Sequence, residues 1–139
     1  MSILKIKGKV ITIKELYMNL LKLADIFFEI LHLSLIGFNL MGWLFKSTRR
    51  ANLYTLGATF LSWFGLGLFY GIGYCPLTDW HWQIKSKLGI TNLPNSYITY
   101  FLENWLGLHI QPQIVDIATF AFFFFSLCVS VYLNIIRKK

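Results

Sequence analysis

Three long apolar stretches constrain this chain more than any other feature of its sequence. They cover residues 23–45, 53–73 and 115–136, and all thirteen Lys and Arg residues lie outside them. Each stretch has about 20 residues, enough for a helix rising 1.5 Å per residue to cross a hydrocarbon core of roughly 30 Å. Because backbone amides in lipid must bond within their own segment, such a span has to be helical. The sequence therefore predicts an all-α integral membrane protein with three transmembrane helices.

Composition and charge support a membrane setting and argue against nucleic acid as a partner. Hydrophobic residues make up 56% of the chain and charged residues only 14%, against roughly 25% charged residues in a soluble domain. The net charge is +7, but the basic residues flank the apolar stretches, where they hold segments on one side and meet anionic lipid. We expect one membrane domain over residues 1–139, with the lipid bilayer as partner. A homo-oligomer or a complex with other membrane proteins also fits this composition.

Local signals predict where several helices begin. Thr12 and Glu15 have the spacing of a capping box, so the first helix should begin near residue 13 and run into the first span. Pro76 has no amide proton and disfavours helix in Cys75, so the second span should end there. Thr78 or Asp79 is then expected to cap the next helix.

The long connection over residues 75–112 is predicted to form two short amphipathic helices at the membrane surface. The first should end at Gly89, and the second should follow Ser96 and end at Gly107. Helices rich in Trp and Tyr suit the headgroup boundary, and packing on the ends of the spans is the alternative. The predicted apolar faces carry Trp80, Ile84 and Leu88 on the first helix and Tyr97, Ile98, Phe101, Leu102 and Trp105 on the second; Gln83, Lys85 and Lys87 are expected to lie off the apolar face.

The charges near the span ends predict the orientation of the chain. Three spans put the N-terminus and residues 75–112 on one side, and residues 46–52 and the C-terminus on the other. The second side carries six basic residues close to the span ends, namely Lys46, Arg49, Arg50, Arg137, Lys138 and Lys139. Since positive residues near span ends are retained in the cytoplasm, we expect the C-terminus to be cytoplasmic.

A stripe of polar residues inside the first span is the main anomaly. Asp25, Glu29, His32 and Asn39 follow one another at offsets of 4, 7 and 14 from Asp25, which puts all four on one helical face. An ionisable group near the membrane centre costs roughly 2.5–3.5 kcal/mol. We therefore expect this polar cluster to face the bundle interior rather than lipid.

Geometry predicts that the stripe meets the loop. Asp25 and His32 lie within about 15 Å of the N-terminal end of the first span, on the side where the second span ends. The loop residues expected near them are Cys75, Pro76, Leu77, Thr78, Asp79, His81 and His109. One interpretation is a hydrogen-bonded network that fixes helix register and holds the loop. The other is a membrane-embedded site for protons, ions or a metal, built on Asp25, Glu29 and His32.

The residue spacing gives less support to a zinc, di-iron or haem site or to a nucleophilic cysteine. Zinc could be bound by Cys75, Asp79, His81 or His109, but their spacing matches no recognised site. The sequence Glu29-x-x-His32 is half of a di-iron carboxylate motif and would need a second copy, while a haem would have only His32 as an intramembrane ligand. Cys75 would need His81 or His32 as a base to act as a nucleophile. We expect no cofactor and no catalytic residues, and we leave metal binding open.

Three segments carry a resemblance to a known family, which covers roughly residues 18–137. They are LADIFFEILHLSLIGFNLMGW, WFGLGLFYGIGYCPLTDWHWQIKSKLG and SYITYFLENWLG, which resemble small bacterial inner-membrane proteins of unknown function. The resemblance implies that location, supplies no activity, and marks the positions Asp25, His32, Cys75, Pro76, Leu77 and Thr78. The chain departs from the family pattern at His81, where many members have an acidic residue, and at Tyr100-Phe101-Leu102, where they have His-Tyr-Leu. The expected function is a non-enzymatic scaffold or accessory membrane protein with a structural polar cluster.

Overall fold

The fold is helical, with a short hairpin before the first helix. The computed structural model describes residues 3–6 and 9–137. The helices of the described residues are α1 (Ile13–Met41), α2 (Arg49–Tyr70), α3 (Pro76–Lys87), α4 (Tyr97–Asn104) and α5 (Pro112–Ile136). Strands β1 (Ile3–Ile6) and β2 (Lys9–Thr12) pair antiparallel, with Ile3 opposite Thr12. The hairpin was not predicted, although its Ile and Val residues favour an extended backbone.

Helix α1 begins as predicted and ends earlier than predicted. The Thr12 hydroxyl accepts from the Glu15 amide at 3.3 Å, and the Glu15 carboxylate accepts from the Thr12 amide at 3.0 Å. The helix ends at Met41 rather than at residue 45, and its last carbonyls accept bonds from α2. Asn52 Nδ2 donates to the Phe38 carbonyl at 2.7 Å, so α2 itself completes the end of α1.

Helices α2 and α5 are long and apolar enough to cross a membrane, with mean hydropathies of 1.2 and 2.2. Helix α2 ends at Tyr70 rather than at residue 73 because Gly71 adopts a φ of 107°, a conformation that side chains with a Cβ rarely take. The chain then folds back, and the Gly73 amide donates to the Trp63 carbonyl at 3.1 Å. The α-helical pattern loosens to a π-helix over Leu61–Leu66 in α2 and Tyr132–Ile136 in α5.

Helices α1, α2 and α5 form an up-down-up bundle. The end of α5 meets the start of α2, since Asn134 Nδ2 donates to the Arg49 carbonyl at 3.0 Å. Between α2 and α5, the Trp63 ring packs against Phe120 and Phe123, with centroids 5.0 and 4.7 Å away. Helix α3 packs along the first part of α1, and α4 contacts α5, so both short helices lie at the opposite end of the bundle.

Burial in the bundle reverses the pattern of a soluble protein. Leu68 and Phe69 are 82% and 83% exposed. The buried side chains of the described residues include only four hydrophobic ones, Leu56, Tyr97, Val115 and Phe123, against nine polar or charged ones, Glu29, His32, Asn39, Asn52, His81, Lys85, Thr99, Ser126 and Ser130. Soluble proteins bury Leu, Ile and Phe and leave Lys and Glu outside. The bundle therefore presents apolar side chains outwards and polar ones inwards.

The end of α1 gives a testable prediction about close packing. An alanine Cβ at residue 42 would lie 2.6 Å from the Phe38 carbonyl oxygen and 2.9 Å from Asn52 Nδ2, so Gly42→Ala should lower the free energy of unfolding by about 1–3 kcal/mol. Gly57→Ala is the control, because a Cβ there meets nothing within 4 Å and alanine favours helix by about 0.5–1 kcal/mol. Thermal unfolding in mild detergent measures both. Equal melting temperatures for the two variants would contradict the packing described.

Candidate functional site

The candidate site is a buried ion cluster where α3 packs on α1. Asp25 and Glu29 are one turn apart on α1, and His81 and Lys85 are one turn apart on α3. Because residues at i and i+4 share a helical face, each helix presents two ionisable groups to the other. The Lys85 ammonium lies 2.8 Å from Asp25 Oδ1 and 3.0 Å from Glu29 Oε1. One side-chain cation therefore bridges both carboxylates.

Lys85 is 2% exposed, whereas Trp80 is exposed. The sequence pattern placed Trp80 on the apolar face of α3 and Lys85 off that face, but it gave no sign that Lys85 would be covered. Lys85 is buried because the polar face of α3 meets the carboxylates of α1. The Tyr100 ring of α4 completes the enclosure, with its centroid 4.6 Å from the Lys85 ammonium.

His81 is fully buried beside the lysine. Its Nε2 lies 2.8 Å from Asp25 Oδ1 and 4.0 Å from Glu29 Oε1. Its Nδ1 is buried with no hydrogen-bond partner among the described residues. The ring also packs against two neighbouring rings of α1, with centroid distances of 5.6 Å to Phe28 and 5.4 Å to His32. His81 thus contributes one polar bond to the cluster and ring contacts to its packing.

His32 joins α1 to the start of α3. Its Nδ1 lies 2.9 Å from the Phe28 carbonyl and its Nε2 lies 3.2 Å from Thr78 Oγ1. Since a carbonyl can only accept, Nδ1 carries a proton, and a neutral His32 accepts from the Thr78 hydroxyl through Nε2. The Tyr97 ring of α4 stacks on His32, with centroids 4.3 Å apart.

Helix α4 begins after Ser96 as predicted and ends at Asn104, before the predicted Gly107. Its first residue, Tyr97, is buried and donates from its hydroxyl to Glu29 Oε2 at 2.5 Å. Glu29 therefore receives Lys85 on one oxygen and Tyr97 on the other. The carboxylate is held by both short helices, so it links α3 and α4 to the same turn of α1.

The pKa values of the cluster residues on α3 and α4, His81, Lys85 and Tyr97, are shifted from their ordinary values. Burial lowers the pKa of Lys85, but hydrogen bonds to Asp25, Tyr100 and Glu29 outweigh it and leave that pKa above the ordinary 10.5. Burial and the bond to Glu29 raise the pKa of Tyr97. Burial lowers the pKa of His81 more than the bond to Asp25 raises it. These directions favour a charged lysine, a neutral tyrosine and a neutral histidine.

Several predicted site residues lie outside the cluster. Asn39 is further along α1 and donates to Thr59 Oγ1 of α2 at 3.0 Å. Asp79 is exposed and accepts from Gln83 Nε2 at 3.2 Å, while His109 is exposed after α4. The structure therefore does not bring together the zinc ligands considered from the sequence.

The Cys75–Thr78 motif forms the turn into α3. Helix α3 begins at Pro76 with Cys75 as its N-cap, so the predicted caps at Thr78 and Asp79 are wrong. Proline is favoured at the first helical position because the amide it lacks would be unpaired there. Cys75 and Leu77 are half-buried. Thr78 contributes its hydroxyl to His32 rather than to the backbone.

A metal would have to displace the lysine. Asp25, Glu29 and His81 offer ligand atoms that all lie within 4.8 Å of one another, and carboxylate and imidazole are common metal ligands. The Lys85 ammonium, however, contacts both carboxylates directly. The cluster is thus already supplied with a cation by its own chain.

Sequence reasoning missed Lys85, Tyr97 and Tyr100 as members of the cluster. One signal was present: His81 and Lys85 repeat the four-residue spacing of Asp25 and Glu29. Two helices with matching spacings and opposite charges can pair turn by turn. Tyr97 was assigned by its ring alone, and its hydroxyl gave no sequence signal.

Removing the bridging ammonium should destabilise the fold strongly. Lys85→Met leaves the buried Glu29 and the half-buried Asp25 without their cation, so the free energy of unfolding should fall by about 3–5 kcal/mol. Lys87→Met, two residues away and exposed, should change it by less than about 0.5 kcal/mol. Unfolding of both variants in mild detergent measures the difference. Adding Asp25→Asn to Lys85→Met should recover part of the loss, and full additivity of the two changes would contradict direct pairing.

The lowered pKa of His81 predicts a loss of stability on mild acidification. Below its ordinary pKa of 6.5, the histidine of the unfolded chain takes up a proton that folded His81 does not, so stability falls as the pH falls. His81→Gln should reduce this slope between about pH 7 and about pH 5.5. His109→Gln, a change at an exposed histidine outside the cluster, is the matched control. Unfolding curves across this range measure it, and equal slopes for His81→Gln and the parent would refute the assignment.

Comparison with known proteins identifies a family without supplying an activity. Residues 22–135 match the family described as "Protein of Unknown function (DUF2784)". The match begins inside α1 and ends in the last turn of α5. Neither curated proteins nor solved structures give a match. The matched segment contains the whole ion cluster, all of α2 and most of α1 and α5. The chain therefore belongs to the DUF2784 family of proteins of unknown function.

Proposed function

We propose that this chain is a small three-span membrane protein that acts as a non-enzymatic scaffold or accessory protein. Helices α1, α2 and α5 are the spans, and the ion cluster fastens α3 and α4 to α1. The observation that carries the proposal is the Lys85 ammonium, which bridges Asp25 and Glu29 at 2.8 and 3.0 Å. A cluster whose cation is one of its own side chains binds a helix of the same chain instead of a substrate.

The outward face of α1 supports its role as the third span. Large apolar side chains are exposed along it, namely Leu20, Leu23, Ile26, Phe27 and Ile30. The ionisable side chains lie on the other face, where Glu29 and His32 are buried under α3 and α4. The roughly 2.5–3.5 kcal/mol cost of a charge near the membrane centre applies to groups that face lipid. Because α3 and α4 cover them, the polar residues of α1 are compatible with a span.

The reversed burial pattern supports a lipid surrounding for the whole bundle. Contiguous apolar surface of this extent on a monomer indicates a membrane or a partner interface. Inside a membrane, helices are held together by polar contacts and close packing rather than by exclusion of water. The buried Asn39, Asn52, Ser126 and Ser130 fit that role.

The proposed location is a bacterial inner membrane with the C-terminus in the cytoplasm. Four basic residues of the described chain, Lys46, Arg49, Arg50 and Arg137, lie near one end of the bundle and favour that end as the cytoplasmic one. On the other side, Lys85 is neutralised by Asp25 and Glu29, so it weighs little against this orientation. Tags at the two termini test the topology. Three spans place the tags on opposite sides of the membrane, whereas protection of both tags on the same side would remove α1 from the spans.

A second candidate function is the handling of protons or a metal ion by the same cluster. It is favoured by the clustering of Asp25, Glu29 and His81 ligand atoms within 4.8 Å and by the unpartnered, buried His81 Nδ1. Ionisable chains of this kind mark ion pathways in membrane proteins. Lys85 would then have to withdraw from the carboxylates during the cycle.

Substitution of Asp25 and His32 separates the two functions. If the cluster is structural, Asp25→Asn and His32→Gln should each lower the melting temperature in detergent, because each removes a bond between α1 and α3. Asp79→Asn is the control, since Asp79 is exposed on α3. Elemental analysis of the purified parent protein accompanies the measurement. Unchanged melting together with a stoichiometric metal, or with a lost proton-linked signal, would favour ion handling and overturn the structural proposal.

A further inference from the structure

The acidic residues of this protein lie towards one end of the bundle, together with Lys14, Lys22, Lys85 and Lys87. All six acidic side chains lie towards the end that carries α3 and α4, at Glu15, Asp25, Glu29, Asp79, Glu103 and Asp116. The opposite end, formed by residues 42–50 and 132–137, carries Lys46, Arg49, Arg50 and Arg137. Among the described residues this end therefore has four side-chain cations and no side-chain carboxylate to pair with them.

Hydrogen bonds bring these basic segments together. Arg49 Nε donates to the Trp43 carbonyl at 3.1 Å, and Thr48 Oγ1 donates to the Gly42 carbonyl at 2.6 Å. Asn134 Nδ2 then joins the last turns of α5 to the Arg49 carbonyl at 3.0 Å. The connection between α1 and α2 and the end of α5 thus form one continuous basic surface.

A cleft opens on this surface between the first turns of α2 and the last turns of α5. Its volume is about 260 Å³, and it is lined by Arg50, Leu53, Tyr54, Asn134 and Ile135. Arg50 and Asn134 supply polar groups, and Leu53 and Ile135 supply apolar walls. Tyr54 and Ile135 are exposed, so the cleft continues onto the outward apolar surface of the bundle.

Arg50 is the cation available to a ligand in this cleft. It is exposed, and no hydrogen bond or ion pair engages its guanidinium within the described part of the chain. Arg49 differs, because its Nε is bonded to the Trp43 carbonyl, and Lys85 differs because it is buried between two carboxylates. A guanidinium presents paired N–H donors whose geometry matches a phosphate.

We propose that this cleft binds the phosphate headgroup of an anionic phospholipid, with Arg50 on the phosphate and an acyl chain along Tyr54 and Ile135. The inference rests on the proposed function, since it requires the bundle to lie in a membrane. The surplus of four cations without a carboxylate favours an anionic headgroup over a zwitterionic one, whose ammonium would find no partner. Basic pockets between spans on the cytoplasmic side bind anionic headgroups by this chemistry.

Lipid titration of the full-length protein in non-ionic detergent tests the proposal. Phosphatidylglycerol and phosphatidylcholine with the same acyl chains are the two probes, and native mass spectrometry measures the bound fraction. Phosphatidylglycerol should bind more tightly. Arg50→Gln should weaken its binding about fivefold, because a basic residue at an anionic surface contributes about 1 kcal/mol. Lys87→Gln removes an exposed charge at the opposite end of the bundle and should leave binding unchanged.

Two controls keep the outcomes distinct. If Arg50→Gln unfolds, phosphatidylglycerol binding to the parent protein is measured at increasing salt instead. Binding by charge must weaken as salt is raised from about 0.05 M to about 0.5 M. Equal binding of the two lipids, equal effects of Arg50→Gln and Lys87→Gln, or salt-independent binding would overturn the inference. A chain that alkaline extraction releases from membranes would instead overturn the proposed function. A chain that stays embedded without a preference for phosphatidylglycerol would overturn this inference alone.

Discussion

The bridge from Lys85 to Asp25 and Glu29 is the interaction on which the rest of the structure depends. Two unit charges 4 Å apart attract by about 4 kcal/mol at an effective dielectric constant of 20, while burying each ion costs several kcal/mol. The attraction between the charges therefore roughly offsets the cost of burying them while all three are present. Removing one of them leaves a charge without its partner. Because the carboxylates lie on α1 and the ammonium on α3, this balance is reached only when the two helices are docked.

Docking through charge also explains how a chain with ionisable residues in its first long helix can present an apolar exterior. Helices α3 and α4 cover the polar stripe of α1, and Tyr97 and Tyr100 contribute both hydroxyl groups and ring faces to that cover. The charges of Asp25, Glu29 and Lys85 at this end are satisfied within the chain. At the far end the cations have no carboxylate among the described residues, so they remain available to an anionic surface.

Polar contacts also join α1 and α2, where α1 ends and α2 begins. Asn52 reaches from α2 to the Phe38 and Asn39 carbonyls at the end of α1, at 2.7 and 3.3 Å, and Asn39 reaches back to Thr59. In lipid, apolar contacts between helices have little advantage over contacts with acyl chains, so polar contacts and close packing specify which helices associate. Gly42 permits this approach, because a Cβ there would collide with the Asn52 amide.

The sequence by itself determined the long apolar stretches, the start of α1 at its capping box, and the shared face of Asp25, Glu29 and His32. Each follows from local chemistry or from the helical period, which requires no knowledge of neighbours. Only the tertiary structure decided that Lys85 is buried, that α1 ends at Met41, and that Asn39 belongs to a different contact. Periodicity shows which residues share a face, but whether that face meets water, lipid or an oppositely charged helix depends on the partner docked against it.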